Sequence, residues 1–226
     1  MRLNIPAIVV NFKTYSEATG KRAIQLAKLI QEVGKEYGVT VAVCPQAVDI
    51  ASIAKEVEIP VLAQHADPAV PGKNTGWVTP YALKEAGAVG TLLNHAEHKI
   101  PLEQAKKTIE ILKSLDLLTL ACAADVEESR RLAALDPEMV AVEPPELIGT
   151  GIPVSKARPE VVSGSVEAVR KINPRVDVLC GAGIVSGDDV RRALELGSAG
   201  VLLASGIVCA KDQRAAIEDI VKGARK

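Results

Sequence analysis

Met139-Val140-Ala141-Val142-Glu143-Pro144-Pro145 is a short apolar run that ends on a carboxylate and two prolines. A stretch this continuously hydrophobic reads as a strand buried on both faces, because a half-exposed strand would alternate. A carboxylate at the end of such a strand is expensive to bury unless it has a task. The same design recurs along the chain. Apolar, β-rich runs over 7–11, 40–44, 60–64, 89–94, 117–122, 139–143, 176–181 and 199–204 predict eight strands. Amphipathic helical patterns lie between them. Ala23, Leu26, Ala27 and Ile30 keep the spacing of a buried helix face, as do Ala105, Ile109 and Leu112, and then Val190, Ala193 and Leu194.

Helix starts are signalled at Ser16-Glu17, at Asp125 and at Ser186-Gly187-Asp188-Asp189. Stops are marked by Gly34 or Gly38, by Gly87 and by Gly197. Strict βα alternation implies a parallel sheet with helical crossovers. Eight units close naturally into a (β/α)8 barrel, with an open doubly wound sheet as the competing topology. The chain has 226 residues, 48% of them hydrophobic, which suits one large α/β domain or two small ones. No linker or composition shift divides it, so residues 1–226 are expected to form one barrel domain.

A formal net charge of −1 gives no broad basic field for nucleic acid or an anionic membrane. No apolar run approaches the length of a membrane span. The N-terminal residues enter a strand pattern without the apolar segment of a secretory signal, which points to the cytoplasm. Cys44, Cys122, Cys180 and Cys209 form no CxxC pair and read as reduced packing residues. His98 lies three residues from His95, but His65 is the only other histidine, so a metal site is not expected.

In a barrel, function gathers at the C-terminal ends of the strands. Polar residues stand there after several runs: Asn11 and Lys13, Gln64, Asn94, His95 and Glu97, and Glu143. Each has a bland alternative. Lys13 could be a surface lysine, His95 a hydrogen-bonded structural histidine, and Glu97 a first-turn residue favoured by a helix dipole. Three segments rich in small residues follow the last strands: Gly149-Thr150-Gly151, Gly181-Ala182-Gly183 and Ala204-Ser205-Gly206. Backbone N–H groups exposed in this way suit a phosphate dianion. Gly187 comes one residue too late for a dinucleotide fingerprint, so a small phosphorylated ligand fits better. The connection over 144–157 runs to about 14 residues, far above the usual two to six, and reads as a lid over the site.

Asn11-Phe12-Lys13, Asn94-His95-Ala96-Glu97 and Glu143-Pro144 through Ile148-Gly149-Thr150-Gly151, taken in register, resemble triosephosphate isomerase over the whole chain. The length and the Pro145-Glu146-Leu147 lid sequence are similar to the family's short archaeal branch. The resemblance implies interconversion of dihydroxyacetone phosphate and D-glyceraldehyde 3-phosphate in central carbon metabolism, without cofactor or metal. It implies Glu143 as base, His95 as electrophile and Lys13 as the cation beside the developing enediolate. Asn11 would help hold the substrate, and Ile148, Gly183, Ala204 and Ser205 would hold its phosphate. Glu97 and Gly149 would support them. Thr75-Gly76-Trp77 resembles the segment that the family inserts into a neighbouring subunit, so a homo-oligomer is expected, a tetramer ahead of a dimer.

The chain departs from the family in two places. Ala96 replaces the usual serine after the histidine, which leaves the resting position of Glu143 open. The loops after strands seven and eight carry Ala182-Gly183 and Ala204-Ser205 in place of the usual serine and double glycine. Two rivals stand beside this reading: another phosphosugar barrel such as a Schiff-base aldolase, and a barrel that binds ligand without turnover.

Overall fold

The computed structural model describes residues 2–147 and 153–225. Eight parallel strands form one sheet: β1 (Ala7–Asn11), β2 (Thr40–Cys44), β3 (Leu62–Ala63), β4 (Gly90–Leu93), β5 (Leu118–Ala123), β6 (Met139–Val142), β7 (Asp177–Cys180) and β8 (Gly200–Leu203). Except between β2 and β3, each strand pairs with its sequence neighbours, and β1 also pairs with β8. The remaining seam, between β2 and β3, is joined by a single parallel bridge from Val43 to Val61. The sheet is therefore a nearly closed barrel, and the open doubly wound alternative is excluded.

Among the described residues ten helices surround it: α1 (Lys21–Tyr37), α2 (Ile50–Ala54), α3 (Pro80–Glu85), α4 (Leu102–Ser114), α5 (Val126–Ala133), α6 (Val154–Ala157), α7 (Pro159–Ile172), α8 (Gly187–Glu195), α9 (Ser205–Val208) and α10 (Gln213–Gly223). Alternation along the strands explains why the runs are apolar throughout. Val9, Ala42, Leu62, Leu92, Leu120, Ala141, Leu179 and Leu202 pack together inside the barrel. Ile8, Val10, Val43 and Val201 pack outward with Leu26, Ile30, Val190 and Ile220 from the helices.

Strands one and two occupy the expected residues, whereas strand three shrinks from 60–64 to two. It lies at the seam, where Pro60 has no N–H to give and contributes only its carbonyl, to Val43, at 3.1 Å. Asp125 caps α5 by accepting the Glu128 N–H, and Ser186 with Asp189 forms a capping box on α8. Ser16-Glu17 does not start α1. It lies in a separate 3-10 turn, and α1 begins at Lys21 after Gly20. Of the two proposed stops, Gly38 is the C-cap, with φ of +65°, while Gly34 is buried within α1 against Val41. The segment expected as a 14-residue loop also contains structure: a 3-10 turn over Pro145–Leu147, and α6.

Candidate active site

The last residue of β1, Asn11, is 4% exposed, and its side-chain Oδ1 accepts the Lys13 N–H at 2.9 Å. This holds Lys13 in the left-handed region, with φ of +46°, where a residue bearing a Cβ is rarely at rest. A second clamp comes from the loop after β3. Gln64 Nε2 donates to the Lys13 carbonyl at 2.8 Å and to the Cys44 carbonyl at 2.9 Å. The Lys13 ammonium pairs with Glu97 Oε1 at 2.7 Å.

β4 ends just before Asn94, whose φ is +60°. Its side chain braces the loop: Nδ2 donates to the Cys122 carbonyl and to Glu128 Oε1, and Oδ1 accepts from the Ile100 N–H. Lys99 Nζ lies 2.7 Å from both oxygens of Glu128. This network turns His95 inward, where it is 6% exposed. His95 Nδ1 accepts the Glu97 N–H at 3.1 Å, so the neutral ring carries its proton on Nε2. Burial, reinforced by Lys13 and Lys99 against the opposing Glu97, pushes the imidazole pKa down to about 4.

Glu143 follows β6 and is 3% exposed. Its N–H is tied to the Ala123 carbonyl at 2.7 Å, and its Oε2 lies 3.7 Å from His95 Nε2. Among the described residues that oxygen has no hydrogen-bond partner. Burial raises the carboxyl pKa to about 7, against the lowering effects of a Cys122 hydrogen bond and the Lys13 charge. Gly181 makes room for the side chain, since a Cβ there would meet Glu143 Cγ at 2.3 Å. This role of Gly181 differs from the ligand-cradling one its sequence suggests.

Asn11, Lys13, His95 and Glu143 line one cleft together with Gly183, Ala204 and Ser205. Seven of the ten named candidates therefore meet, although they come from loops after five different strands. Glu97 is more exposed and reaches the group through Lys13 and His95. Ile148 and Gly149 lie outside the described residues. Tyr15, Ile184, Val185 and Leu202 also line the cleft and carried no functional signal in the sequence. The loop after β7 is held by Asp189, whose Oδ2 accepts the Val185 and Ser186 N–H groups while Oδ1 pairs with Lys156 of α6 at 2.6 Å. Cys44, Cys122 and Cys180 are buried and their thiol pKa values are raised by burial, whereas Cys209 is exposed. His98 does not share a face with His95. Its ring stacks instead on His65, with centroids 4.1 Å apart. Among the described residues no group of three or more His, Cys, Asp and Glu side chains could hold a metal ion.

A carboxylate with an unpaired oxygen, an imidazole N–H and an ammonium converging on a small-residue cleft can remove a proton beside a carbonyl and stabilise the anion left behind. A family profile described as triosephosphate isomerase matches residues 6–224. A triosephosphate isomerase from Methanothermus fervidus is 53% identical over 216 residues, covering 96% of this chain and 97% of that protein. Another, from Methanocaldococcus jannaschii, is 51% identical over 215 residues, with 95% and 98% covered. The crystal structure of triosephosphate isomerase from Bartonella henselae superposes with a TM-score of 0.78 over 98% of this chain and 99% of that one, at 18% identity, which speaks for the fold alone.

Proposed function

The chain belongs to the triosephosphate isomerase family and is an isomerase, and from that premise we propose that Glu143, His95 and Lys13 interconvert dihydroxyacetone phosphate and D-glyceraldehyde 3-phosphate. The observation that carries this assignment is the Oε2 of Glu143, buried without a hydrogen-bond partner among the described residues and 3.7 Å from the Nε2 of a histidine whose other nitrogen is already occupied. A carboxylate raised to about 7 is a stronger base than one in water, and it lies in the cleft that would hold the substrate.

Glu143 takes a proton from the hydroxyl-bearing carbon beside the carbonyl, leaving an enediolate. The His95 Nε2–H donates to the oxygen on which charge develops. A neutral imidazole suits that role, and a glutamate base beside a neutral histidine is this family's known division of labour. Lys13 places a positive charge beside the same anion, held by Asn11 and Gln64 from the backbone side. The hydroxyl proton of the enediolate passes to the former carbonyl oxygen by way of His95 Nε2, and the protonated Glu143 returns its proton to the neighbouring carbon, which leaves a carbonyl where the hydroxyl stood. These transfers use side chains alone and call for neither cofactor nor metal.

The phosphate would rest against the backbone of Gly183, Ala204 and Ser205, all in the cleft wall; Ile148 would also hold it and Gly149 would support it, two residues outside those the structure describes. Glu97 would support both Lys13 and His95. Asn11 would serve as a contact to substrate as well as a clamp. An aldolase forming an imine would need a lysine where β6 ends, and Glu143 stands there instead.

We place the enzyme in glycolysis and gluconeogenesis, in the cytoplasm, as one barrel domain per chain. We read the assembly as a homotetramer ahead of a dimer; Val48, Val70 and Trp77, exposed on the loops after β2 and β3, offer apolar surface for self-association. A coupled assay with glyceraldehyde 3-phosphate tests the reaction. Turnover blocked by 2-phosphoglycolate is the expected result. Folded protein that binds this inhibitor without turning over would instead favour a disabled barrel, with Ala96 the first residue to restore to serine.

A further inference from the structure

Lys13 is gripped from two sides by residues of two different loops. Gln64, after β3, takes its backbone carbonyl, and Glu97, after β4, takes its ammonium. The residue following each of these is a histidine. His65 and His98 lie ring on ring, with centroids 4.1 Å apart and planes inclined by 24°. His65 is anchored on its own side, where Nε2 lies 3.2 Å from Asp67 Oδ1. Asp67 is fixed in turn by a two-way tie to Val78: its N–H reaches the Val78 carbonyl, and its Oδ2 accepts the Val78 N–H at 2.7 Å. On the other side, the His98 N–H donates to the His95 carbonyl at 2.8 Å, so the second ring hangs from the turn that carries His95. His98 is exposed, and among the described residues its ring makes no hydrogen bond and stacks on His65.

We propose that the His65–His98 stack is a positioning element for Lys13: it staples the loop after β3 to the loop after β4, so that Gln64 and Glu97 close on the lysine from both sides. The proposal rests on the assignment of Lys13 to the substrate site. Lys13 needs such support because its backbone lies in the left-handed region, which a lysine leaves readily when its clamps relax. The stacked pair supplies a cross-loop contact that neither loop makes alone. Displacement of a charged group by about an ångström is enough to cost one to two orders of magnitude in a reaction that depends on orientation.

Calorimetric binding of 2-phosphoglycolate and steady-state kinetics test the staple in five proteins: the unaltered one, His98→Ala, His98→Phe, Lys13→Met and the Lys13→Met/His98→Ala double variant. His98→Ala is expected to weaken binding and lower kcat/KM by about tenfold while the protein stays folded. His98→Phe, which keeps a flat ring over His65, is expected to remain within about twofold of the unaltered protein. In a Lys13→Met background, His98→Ala should add less than about twofold to the loss of binding, because the group it positions is gone. The proposal is overturned if His98→Ala binds and reacts as the unaltered enzyme does, if His98→Phe is as impaired as His98→Ala, or if the loss is the same in both backgrounds. Failure of the unaltered protein to bind 2-phosphoglycolate at all would strike the isomerase assignment itself, a separate result.

Discussion

Glu143 carries a charge where burial opposes it, and this cost has a measurable sign. A carboxyl raised from 4.5 to about 7 in the folded protein destabilises the fold as pH rises through that interval, because the unfolded chain ionises first. Glu143→Gln removes the charge at nearly constant shape. It is expected to raise the unfolding free energy at pH 8 by up to about 3 kcal/mol. The same substitution should lower kcat by about 10²- to 10⁴-fold. Thermal unfolding at pH 5 and pH 8 checks the first effect, which should be largest at pH 8, and steady-state kinetics checks the second. For the unaltered enzyme, kcat/KM should fall as pH drops below about 7, when Glu143 takes up its proton. His95, held near 4, should contribute no break between pH 5 and pH 9; imidazole NMR shifts that stay constant over this range would agree. Asn11, Lys13, His95 and Glu143 could all be named from the chain because each is a polar residue stranded at the end of an apolar run. Their electrical states could not. The His95 pKa is lowered by burial and then by Lys13 and Lys99, and that of Glu143 is raised by burial against Cys122 and Lys13, surroundings that exist only after the strands are brought together.

At the scale of single elements, the loop after β7 shows how helix capping and site shape are linked. Asp189 caps α8 from within the helix, holds the Val185 and Ser186 N–H groups, and receives Lys156 from α6. Capping signals at Ser186 and Asp189 were legible locally. The partner from α6 was not, because a lysine in sequence does not announce which carboxylate it will meet. Asp189→Ala leaves those loop N–H groups unpaired, and loss of such a buried acceptor costs about 1–3 kcal/mol. It should lower stability by that amount and raise KM more than it lowers kcat, since Gly183 and Ile184 of the same loop wall the cleft. Chemical denaturation and kinetics on one preparation separate the two effects. Gly181 makes a second element-scale prediction. Its backbone is one that any residue can adopt, so Gly181→Ala acts through space alone: the new Cβ would lie 2.3 Å from Glu143 Cγ. It should cut kcat by about tenfold or more, comparable to displacing the base by an ångström. A crystal structure of the variant would show Glu143 moved away from His95.

For the whole molecule, the barrel gathers groups that are 130 residues apart in the chain onto one rim, because parallel strands joined by right-handed crossovers all end on the same side. Light scattering should return the mass of four chains. Trp77→Glu, which places a charge on an exposed apolar loop, should shift that mass downward if this loop lies in the interface. The sequence by itself determined the eight-strand, parallel plan and the identity of the chemical groups. Continuous apolar runs can be satisfied only when both faces are covered, and polar residues ending such runs have nowhere to be but the rim. Only the tertiary structure decided which of those groups touch. It turned Asn94 away to brace a loop while Asn11 faces the cleft, set Gly181 beneath Glu143 as clearance, shortened β3 at the seam, and stacked His65 on His98. Each of these is a distance between residues remote in the chain. Periodicity and spacing report the face a residue occupies, whereas distances across the barrel depend on the twist and closure of the whole sheet.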